Sequence, residues 1–385
     1  MRRKICVFSG KRGGFGAYLN LMRLIENDPD LELQIILSDM HASDKFGATA
    51  KEVKGFFPNV DMEVVPMNSS SSDSPVARAT NLGACLEGLA PALERLKPNI
   101  LMVHGDRGEH LMAAFAALNL GIPVTHTQGG ETSGNIDDVQ RHAITKLAHL
   151  HFPETEKAAQ KIRALGEDDW RIRVVGSLYI DRIVGKQYSD VGEMKKRYDA
   201  PGEYVLVLYH PDTFLTPAEN RQVMTDILVA VMHVWRIRTI VVHPCSDPGH
   251  EEVISTINAA KKEDVFDHLR VYKNIDNLDF LGLMAGASAL IGNSSAALVE
   301  APYFHLPAVN VGDRQRGRDH ELNIINSATE INSIVNAVGK AINPSGDLRD
   351  ILKSCGQRLG DGHASEKIFA ALKAVEINEK LLRKS

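Results

Sequence analysis

Near the start of the chain, the apolar run Ile5-Cys6-Val7-Phe8-Ser9 leads directly into the loop Gly10-Lys11-Arg12-Gly13-Gly14-Phe15-Gly16. The run has the length and composition of a buried strand, and residues 17–26 then show helical spacing of apolar side chains. Glycines up to Gly16 permit close backbone approach and Arg12 adds donors, so the loop suits a phosphate or another polar ligand. An ordinary strand-to-helix turn explains the same residues. The order strand, tight loop, helix predicts the first unit of a parallel α/β sheet.

The same alternation continues along the chain, whose 385 residues are too many for one ordinary core. It predicts strands at 5–9, 33–38, 100–104, 123–127, 204–209, 239–243, 289–291 and 308–311. It predicts helices at 17–26, 77–96, 110–118, 139–150, 155–165, 219–234, 277–285, 298–304 and 365–382. We therefore expect an α/β protein of two Rossmann-like domains that face a cleft, with the boundary near residues 175–190. The first domain is predicted to comprise 1–176 with 366–385, and the second 177–365.

Composition excludes several classes of protein. A net charge of −5 argues against a nucleic-acid scaffold. No apolar run approaches the roughly 20 residues that a membrane-spanning helix needs, and the basic start lacks a signal-peptide core. The four cysteines form no CxxC pair, which favours a reducing compartment. We expect a cytoplasmic protein without nucleic-acid or membrane partners.

Polar and charged residues are densest between positions 104 and 151. Asp106 and Gln128 each follow a predicted strand, which places them at the carboxyl edge of the sheet, where open α/β folds bind ligands. Such groups beside buried strands are costly unless they are paired or used. A structural network of Asp106, Arg107 and Arg141 and a ligand site both remain open. The chain lacks H-E-x-x-H or similar spacing, so we expect neither a metal nor a cofactor.

The second half contains a strand, a hydroxyl-rich loop and a helix in the run Ile291-Gly292-Asn293-Ser294-Ser295-Ala296. The serine hydroxyls of Ser294 and Ser295 and the first-turn amides predict an anion site, and Glu300 is placed to accept hydrogen bonds from a ribose. Residues 312–318 add three arginines, among them Arg314, that suit bidentate phosphate contacts. Taken singly, each feature is explained by serine capping or a solvated loop. Together they predict a nucleotide diphosphate as ligand.

These motifs resemble the hydrolysing UDP-N-acetylglucosamine 2-epimerases, the branch that makes N-acetylmannosamine for sialic-acid-type sugars. The family pattern GDR…H-x-E-G-G-E-x-S-G-x-[IV]-D-[DE]-x-x-R-H is matched by Gly105-Asp106-Arg107, by HTQGGETSGNIDD at 126–138 and by Arg141-His142. Further blocks match at Met40-His41, His210-Pro211, Gly292-Asn293-Ser294-Ser295 with Glu300, and Arg314-Gln315. The resemblance runs from about Lys4 to Asn323.

The resemblance implies a glycosyltransferase-B architecture whose C-terminal helix crosses back to the first domain. It also implies elimination of UDP from UDP-N-acetylglucosamine to a glycal, followed by hydration to N-acetylmannosamine. Asp106 and Asp137 are expected to carry the proton transfers at C2 and C1. The remaining expected site residues are Glu131, Gln128 and His210 for catalysis, and Arg12, Gly16, His41, Arg107, Arg141, Ser294, Ser295, Glu300 and Arg314 for substrate binding. His210, Arg12, Ser294, Ser295 and Arg314 would stabilise charge on the departing diphosphate. We also expect a homodimer or homotetramer.

Two departures from the family pattern bear on the substrate. The first loop usually reads Gly-Thr-Arg-Ala-Asp-Tyr-Gly, and residues 10–16 replace its acid and its phenol. The H-x-E glutamate is Gln128, which cannot take a proton at neutral pH, so Glu131 is the candidate to cover its role and Gln128 is expected to hydrogen-bond the sugar. The alternatives are the same reaction on UDP- or GDP-2,4-diacetamido-2,4,6-trideoxyglucose for legionaminic-type acids, a glycosyltransferase, or a non-catalytic nucleotide-sugar binding protein.

Overall fold

The structure, a computed structural model, describes residues 2–42, 49–67, 74–132, 136–245, 247, 249–263 and 267–384. For Arg12, Gly13 and Ile136 it describes the backbone alone. Two parallel six-stranded sheets are surrounded by helices. The chain groups into two compact units, Met1–Asp181 with Gly360–Ser385 and Arg182–Leu359. In the described part of the chain, no helix combines the length and apolar character needed to cross a membrane.

The strands and helices alternate along the chain. The strands are β1 (Arg3–Ser9), β2 (Leu31–Leu37), β3 (Asp61–Val64), β4 (Ile100–His104), β5 (Val124–Thr127), β6 (Leu150–Phe152), β7 (Tyr204–Leu208), β8 (Arg238–Val242), β9 (Leu269–Tyr272), β10 (Ala289–Gly292), β11 (Ala308–Val311) and β12 (Ile324–Ser327). The helices are α1 (Arg12–Glu26), α2 (Ala50–Phe56), α3 (Pro75–Leu96), α4 (Gly108–Asn119), α5 (Ile136–Leu147), α6 (Glu156–Ala164), α7 (Leu178–Val184), α8 (Val191–Arg197), α9 (Pro217–Leu228), α10 (His250–Glu263), α11 (Asn277–Gly286), α12 (Ala296–Val299), α13 (Ile331–Ile342), α14 (Gly346–Ser354), α15 (Ala364–Ala374) and α16 (Glu379–Leu382).

The first unit is built on the sheet order β3-β2-β1-β4-β5-β6, and all neighbouring strands are parallel. The order reverses between β1 and β4, so the loops after these strands diverge and leave a crevice at the carboxyl edge. Every residue of β4 is buried, since helices cover both faces of the sheet. Apolar side chains from one face of the sheet form a core with the first helix, to which Ile368 and Leu372 of α15 also belong. The other face packs in a second core with α3 and α4.

The second unit repeats this arrangement with the order β12-β11-β10-β7-β8-β9, again with parallel neighbours. Counted from its own first strand, the order is the same as in the first unit, and it reverses between β7 and β10. The loops after β7 and β10 therefore lie at the carboxyl edge of this sheet.

Residues 360–385 belong to the first unit, so the expected return of the C-terminal helical segment to that unit is confirmed. The carboxylate of Asp181 accepts hydrogen bonds from the backbone N–H groups of Ala364 (2.9 Å) and Ser365 (2.6 Å). Because the first N–H groups of a helix lack partners within it, Asp181 stabilises the start of α15.

Several predicted helices differ from the observed elements. The predicted helix at 365–382 is wrong as a single helix, because it stops at an extended Val375 and restarts after Asn378, whose side chain accepts from the Leu381 amide. The predicted helix at 139–150 ends at Leu147, and Leu150, its predicted last residue, is the first residue of β6. The predicted helix at 298–304 is divided into α12 and a 3₁₀ turn with Pro302 at its start. The predicted loop over 10–16 is helical from Arg12 onward.

Gly292, the last residue of β10, has φ +138°, and a Cβ there would overlap the carbonyl oxygen of Leu208 in β7. Gly292→Ala is expected to lower the free energy of unfolding by at least about 2 kcal/mol, since strain and overpacking add. Gly202→Ala is the control, because Gly202 has φ +77° but open space around it, and about 1 kcal/mol is expected. Equal losses in urea unfolding would contradict the overlap argument.

Candidate active site

The loop after β4 carries Asp106, whose carboxylate forms an ion pair with the guanidinium of Arg141. Arg141 comes from α5 and is only 2% exposed. It also donates to Asp138 Oδ1 (2.9 Å) and to the carbonyl oxygen of Glu131 (2.9 Å). One buried cation therefore ties the β4 loop, the first turn of α5 and the segment before it into one network. The structure brings Asp106 and Arg141 together as either sequence interpretation requires.

Arg107, the next residue, contacts two further carboxylates. Its Nε donates to Glu109 Oε1 (3.1 Å), and its Nη2 lies 3.6 Å from Asp39 Oδ2. Burial, and then the charge of Glu109, raise the pKa of Asp39 to about 7, although Arg107 opposes this shift. Asp39 also has an unusual φ of +45°. Asp39 and Glu109 were not predicted as site residues from the sequence, where only the closeness of Glu109 to the GDR motif indicates a role.

Gln128 follows β5 and adopts a left-handed φ of +62°. Its side-chain Oε1 lies beside Gly105, 3.2 Å from where a Cβ on that glycine would be. The next residues must remain small, because a Cβ on Gly130 would overlap the carbonyl oxygen of Ala158 in α6. The amide of Gln128 is therefore fixed next to the residue that precedes Asp106.

The other two predicted catalytic carboxylates lie near this network. Glu131 is half-buried, and within the described part of the chain its Oε1 is buried without a hydrogen-bond partner. Asp137 is half-buried in the first turn of α5, directly before Asp138. The carboxylate of Asp106 and the backbone carbonyl of Glu131 thus contact Arg141 of α5, and Asp137 lies in the first turn of the same helix.

Three predicted substrate contacts, Arg12, Gly16 and His41, come from the first loop and from the segment after β2. His41 is 1% exposed, and its ring nitrogens lie 3.0 Å from Ser9 Oγ and 2.7 Å from Thr49 Oγ1. Both ring nitrogens of His41, a predicted substrate contact, therefore lie within hydrogen-bond distance of protein hydroxyls. Gly16 is buried within α1, beyond the first helical turn. The predicted contact through the side chain of Arg12 lies outside the described residues.

In the second unit, Asn293 joins the loops at the carboxyl edge. The backbone N–H of His210 donates to Asn293 Oδ1 (2.7 Å), and Asn293 Nδ2 donates to the carbonyl oxygen of His210 (2.8 Å). The carbonyl oxygen of Asn293 accepts from Arg314 Nη1 (3.2 Å) and Gln315 Nε2 (2.7 Å). Asn293 is 1% exposed. Asn293 lies within the motif at residues 291–296 but was not itself predicted as a site residue.

His210 and Arg314 are further oriented by the segment after β8. The backbone N–H of Cys245 donates to His210 Nδ1 (3.3 Å), which leaves the proton of the neutral ring on Nε2. Asp247 Oδ2 accepts from Arg314 Nη2 (3.2 Å) and lies 3.9 Å from His210 Nδ1. Like Asp39 and Glu109, Asp247 was not predicted as a site residue from the sequence.

The predicted hydroxyl and ribose contacts lie beside this group. Ser294 is buried, and its Oγ accepts from the amide of Ala296 (3.3 Å), the first residue of α12. Ser295 is exposed, and Glu300 is half-buried directly after α12. The edge of the second sheet therefore combines an arginine, a histidine N–H and an exposed hydroxyl, which are donors suited to an anion. Among the described residues, no cluster of three or more His, Cys, Asp or Glu could hold a metal ion.

Comparison with known proteins identifies the family. The family model described as UDP-N-acetylglucosamine 2-epimerase matches residues 23–373. The chain is 30% identical to a hydrolysing UDP-N,N'-diacetylbacillosamine 2-epimerase of Legionella pneumophila, over 100% of this chain and 99% of that protein. It is 32% identical to a hydrolysing GDP/UDP-N,N'-diacetylbacillosamine 2-epimerase of Campylobacter jejuni, over 88% and 87%. A Neisseria meningitidis UDP-N-acetylglucosamine 2-epimerase is 31% identical, over 89% and 88%.

Solved structures give the same fold. The UDP-GlcNAc 2-epimerase of Methanocaldococcus jannaschii, in complex with UDP-GlcNAc and UDP, is similar with a TM-score of 0.79 at 18% identity, over 97% of this chain and 100% of that one. The predicted two-domain α/β architecture of glycosyltransferase-B type is therefore confirmed. From the family match and these relatives, the chain belongs to the UDP-N-acetylglucosamine 2-epimerase family.

Proposed function

We propose that this enzyme is a hydrolysing 2-epimerase that converts a nucleotide-linked 2-acetamido sugar and water into the free 2-epimer and the nucleoside diphosphate. UDP-N-acetylglucosamine, giving N-acetylmannosamine and UDP, is the first candidate substrate. The observation that carries the proposal is the buried Arg141, which holds Asp106 at the edge of the first sheet beside the start of α5. A fixed carboxylate is what removal of a weakly acidic C2 proton requires.

The proposed reaction has two stages. First, a carboxylate removes the C2 proton while the bond between C1 and the diphosphate oxygen breaks, which leaves a glycal and the nucleoside diphosphate. Second, a proton returns to C2 on the opposite face and a hydroxyl from water adds to C1. We assign these transfers to Asp106 and Asp137, and Glu131 supplies a further carboxylate whose Oε1 has no partner in the described part of the chain.

The second unit supports the departure of the diphosphate. Arg314 and the Nε2–H of His210 are both oriented through Asn293, and such pre-oriented donors stabilise charge that develops on a leaving group. Ser295 offers an exposed hydroxyl at the same edge, and Glu300 would accept hydrogen bonds from the ribose. This group of residues favours a nucleoside diphosphate leaving group.

A second candidate substrate is UDP- or GDP-linked 2,4-diacetamido-2,4,6-trideoxyglucose. Gln128 favours it, because a carboxamide both donates and accepts, whereas a carboxylate can only accept from an acetamido or hydroxyl group. The L. pneumophila and C. jejuni relatives, both named for N,N'-diacetylbacillosamine, support the same substrate class. Because Gln128 lies beside Gly105, its amide is placed to contact a sugar held near Asp106.

Product analysis tests the reaction type. Purified protein is incubated with each candidate sugar nucleotide, and nucleotides and free sugars are separated by chromatography. We expect one equivalent of nucleoside diphosphate for each free 2-epimer released. A 2-epimer that remains attached to its nucleotide would show a non-hydrolysing epimerase instead. Release only when a sugar acceptor is added would show a glycosyltransferase.

Arg314 provides a test of the diphosphate contacts. Arg314→Ala is expected to weaken UDP binding by about 1.5–3 kcal/mol, the range for hydrogen bonds to charged groups. Arg316→Ala is the matched control, since Arg316 lies on the same loop with an 81% exposed side chain and should leave UDP affinity unchanged. Calorimetry with UDP measures both variants. Equal affinity of the Arg314 variant and the wild type would remove Arg314 from the site.

A further inference from the structure

His126, in β5, is fully buried and touches the elements that carry the proposed catalytic residues. Its Nε2 lies 2.8 Å from the carbonyl oxygen of Gly105, the residue before Asp106. Its Nδ1 lies 3.3 Å from Thr145 Oγ1 of α5, whose own hydroxyl lies 3.0 Å from the carbonyl oxygen of Arg141. One imidazole therefore bridges the β4 loop and α5.

The contacts of His126 define its protonation. Burial lowers the pKa of His126 well below its ordinary value. The hydrogen bond to Gly105 opposes this effect, and electrostatic interactions with His151, His104 and Arg141 lower the pKa further. The ring is therefore neutral near pH 7. A carbonyl oxygen only accepts, so the single proton of His126 resides on Nε2. The one hydroxyl proton of Thr145 is donated to the carbonyl oxygen of Arg141, and the Thr145 oxygen packs against the unprotonated Nδ1.

The loop after β5 also packs on this ring. A Cβ at Gly129 would lie 2.9 Å from His126 Nδ1 and 3.2 Å from Thr145 Oγ1, so the backbone of Gly129 sits directly against both. Gln128 is the residue before Gly129. The segments that carry Asp106, Gln128 and Arg141 thus meet at a single neutral side chain.

We infer that His126 is a positioning residue, whose Nε2–H fixes the carbonyl of Gly105 and thereby the direction in which Asp106 leaves the sheet. The inference rests on the proposed function. Gly105 has φ +71°, a conformation that glycine reaches freely, so its peptide needs an external contact to hold one orientation. A displacement of about 1 Å at a reacting group costs roughly 10²-fold in rate.

Two substitutions at His126 distinguish a role in orienting the Gly105 carbonyl from a general contribution to folding. The side-chain Nε2 of glutamine reaches the place of the imidazole Nε2 and can donate to Gly105, whereas asparagine is too short to do so. We expect His126→Gln to retain turnover within about tenfold of the wild type and His126→Asn to lose roughly 10²-fold in kcat. UDP affinity should not change in either variant, since neither His126 nor the carbonyl of Gly105 is a proposed diphosphate contact, and Arg314, His210 and Ser295 lie in the second unit.

His149, a second buried histidine of the same unit, provides a control in which the same two substitutions are expected to have the opposite order of effect. It is 2% exposed, and its Nδ1 accepts from the Val124 amide (3.1 Å) at the amino end of β5, away from the carboxyl edge. Here asparagine can keep the contact and glutamine cannot. His149→Gln is therefore expected to lower the melting temperature with unchanged kcat, which measures the effect of a lost buried histidine contact alone.

The outcomes distinguish failure of the positioning role of His126 from failure of the proposed function. Turnover by the wild type, retention in His126→Gln and loss in His126→Asn at unchanged UDP affinity would support the positioning role. Wild-type kcat in His126→Asn, or equal loss in both His126 variants, would overturn it and leave the proposed function standing. A wild type that is inactive on every candidate sugar nucleotide would overturn the proposed function and this inference together.

Discussion

Replacing Asp106 with asparagine is expected to lower kcat by roughly 10²–10⁴-fold, because the amide has the same shape but cannot carry a proton. UDP affinity should stay close to that of the wild type. The guanidinium of Arg141 keeps its contacts with Asp138 and with the carbonyl oxygen of Glu131, and the asparagine oxygen can still accept from it. Turnover is measured as UDP release and affinity by calorimetry.

Asp138→Asn separates proton transfer from the pairing of Arg141. It removes one carboxylate charge from the same guanidinium, but Asp138 has no assigned proton transfer. We expect its kcat to fall far less than that of Asp106→Asn. Equal losses in the two variants would show that neutralising Arg141, rather than moving a proton, is the role of Asp106.

Glu167→Gln is expected to lower the free energy of unfolding by about 3–5 kcal/mol, the cost of removing one partner from a buried charge cluster. The carboxylate of Glu167 is 1% exposed and lies 3.0 Å from His151 Nε2 and 2.8 Å from both Lys146 Nζ and Lys384 Nζ. Burial alone would raise the pKa of Glu167, but the hydrogen bonds from these groups outweigh it and lower the pKa to about 2.

The sign of the pH dependence follows from this depressed pKa. The ionised carboxylate stabilises the folded state fully above the pKa of an unfolded glutamate, near 4.3. That contribution is lost as the pH falls towards about 2. Urea unfolding from about pH 5 to about pH 3 should therefore show a steeper decline for the wild type than for Glu167→Gln.

Glu156→Gln is the control for this cluster. Glu156 also forms an ion pair, with Arg163, but its side chain is 60% exposed, and exposed pairs contribute about 1 kcal/mol or less. If Glu167→Gln lowers the free energy of unfolding as little as Glu156→Gln does, the prediction that the buried cluster stabilises the fold is contradicted.

The strands missed by the sequence analysis share one position in the fold. The eight predicted strands correspond to inner strands, whereas β3, β6, β9 and β12 are the outermost strands of the two sheets. Inner parallel strands are buried on both faces and show as continuous apolar runs. Edge strands are shorter or partly polar, as in Asp61–Val64, which has exposed residues at both ends. A search for apolar runs therefore finds the interior of each sheet and not its borders.

The site was predictable where its residues follow strands, and hidden where it depends on packing. Asp106 was assigned to the carboxyl edge from its position after a predicted strand, and it lies there. Asn293 and its partner His210 are 83 positions apart, so no local spacing reports their reciprocal hydrogen bonds. Asp39 likewise meets Arg107 only through the register of β1, β2 and β4.

Gln128 is the residue at which the sequence departs most clearly from the family pattern. It therefore bears on the proposal that the wild type is an active hydrolysing 2-epimerase. On our account the carboxamide orients an acetamido sugar, and the wild type is active without the glutamate. Gln128→Glu should then shift preference towards UDP-N-acetylglucosamine or alter the pH profile of kcat. The variant serves as the matched comparison for the wild type.

The most direct measurement is turnover of UDP-N-acetylglucosamine and of the UDP- and GDP-linked 2,4-diacetamido sugars in deuterated water. Nuclear magnetic resonance then reads C2 of each product while UDP or GDP release is quantified. We expect the wild type to release a free 2-epimer with deuterium at C2 from at least one of these substrates. Release of a sugar with the original C2 hydrogen, or a wild type that is inert until Gln128→Glu restores activity, would contradict it.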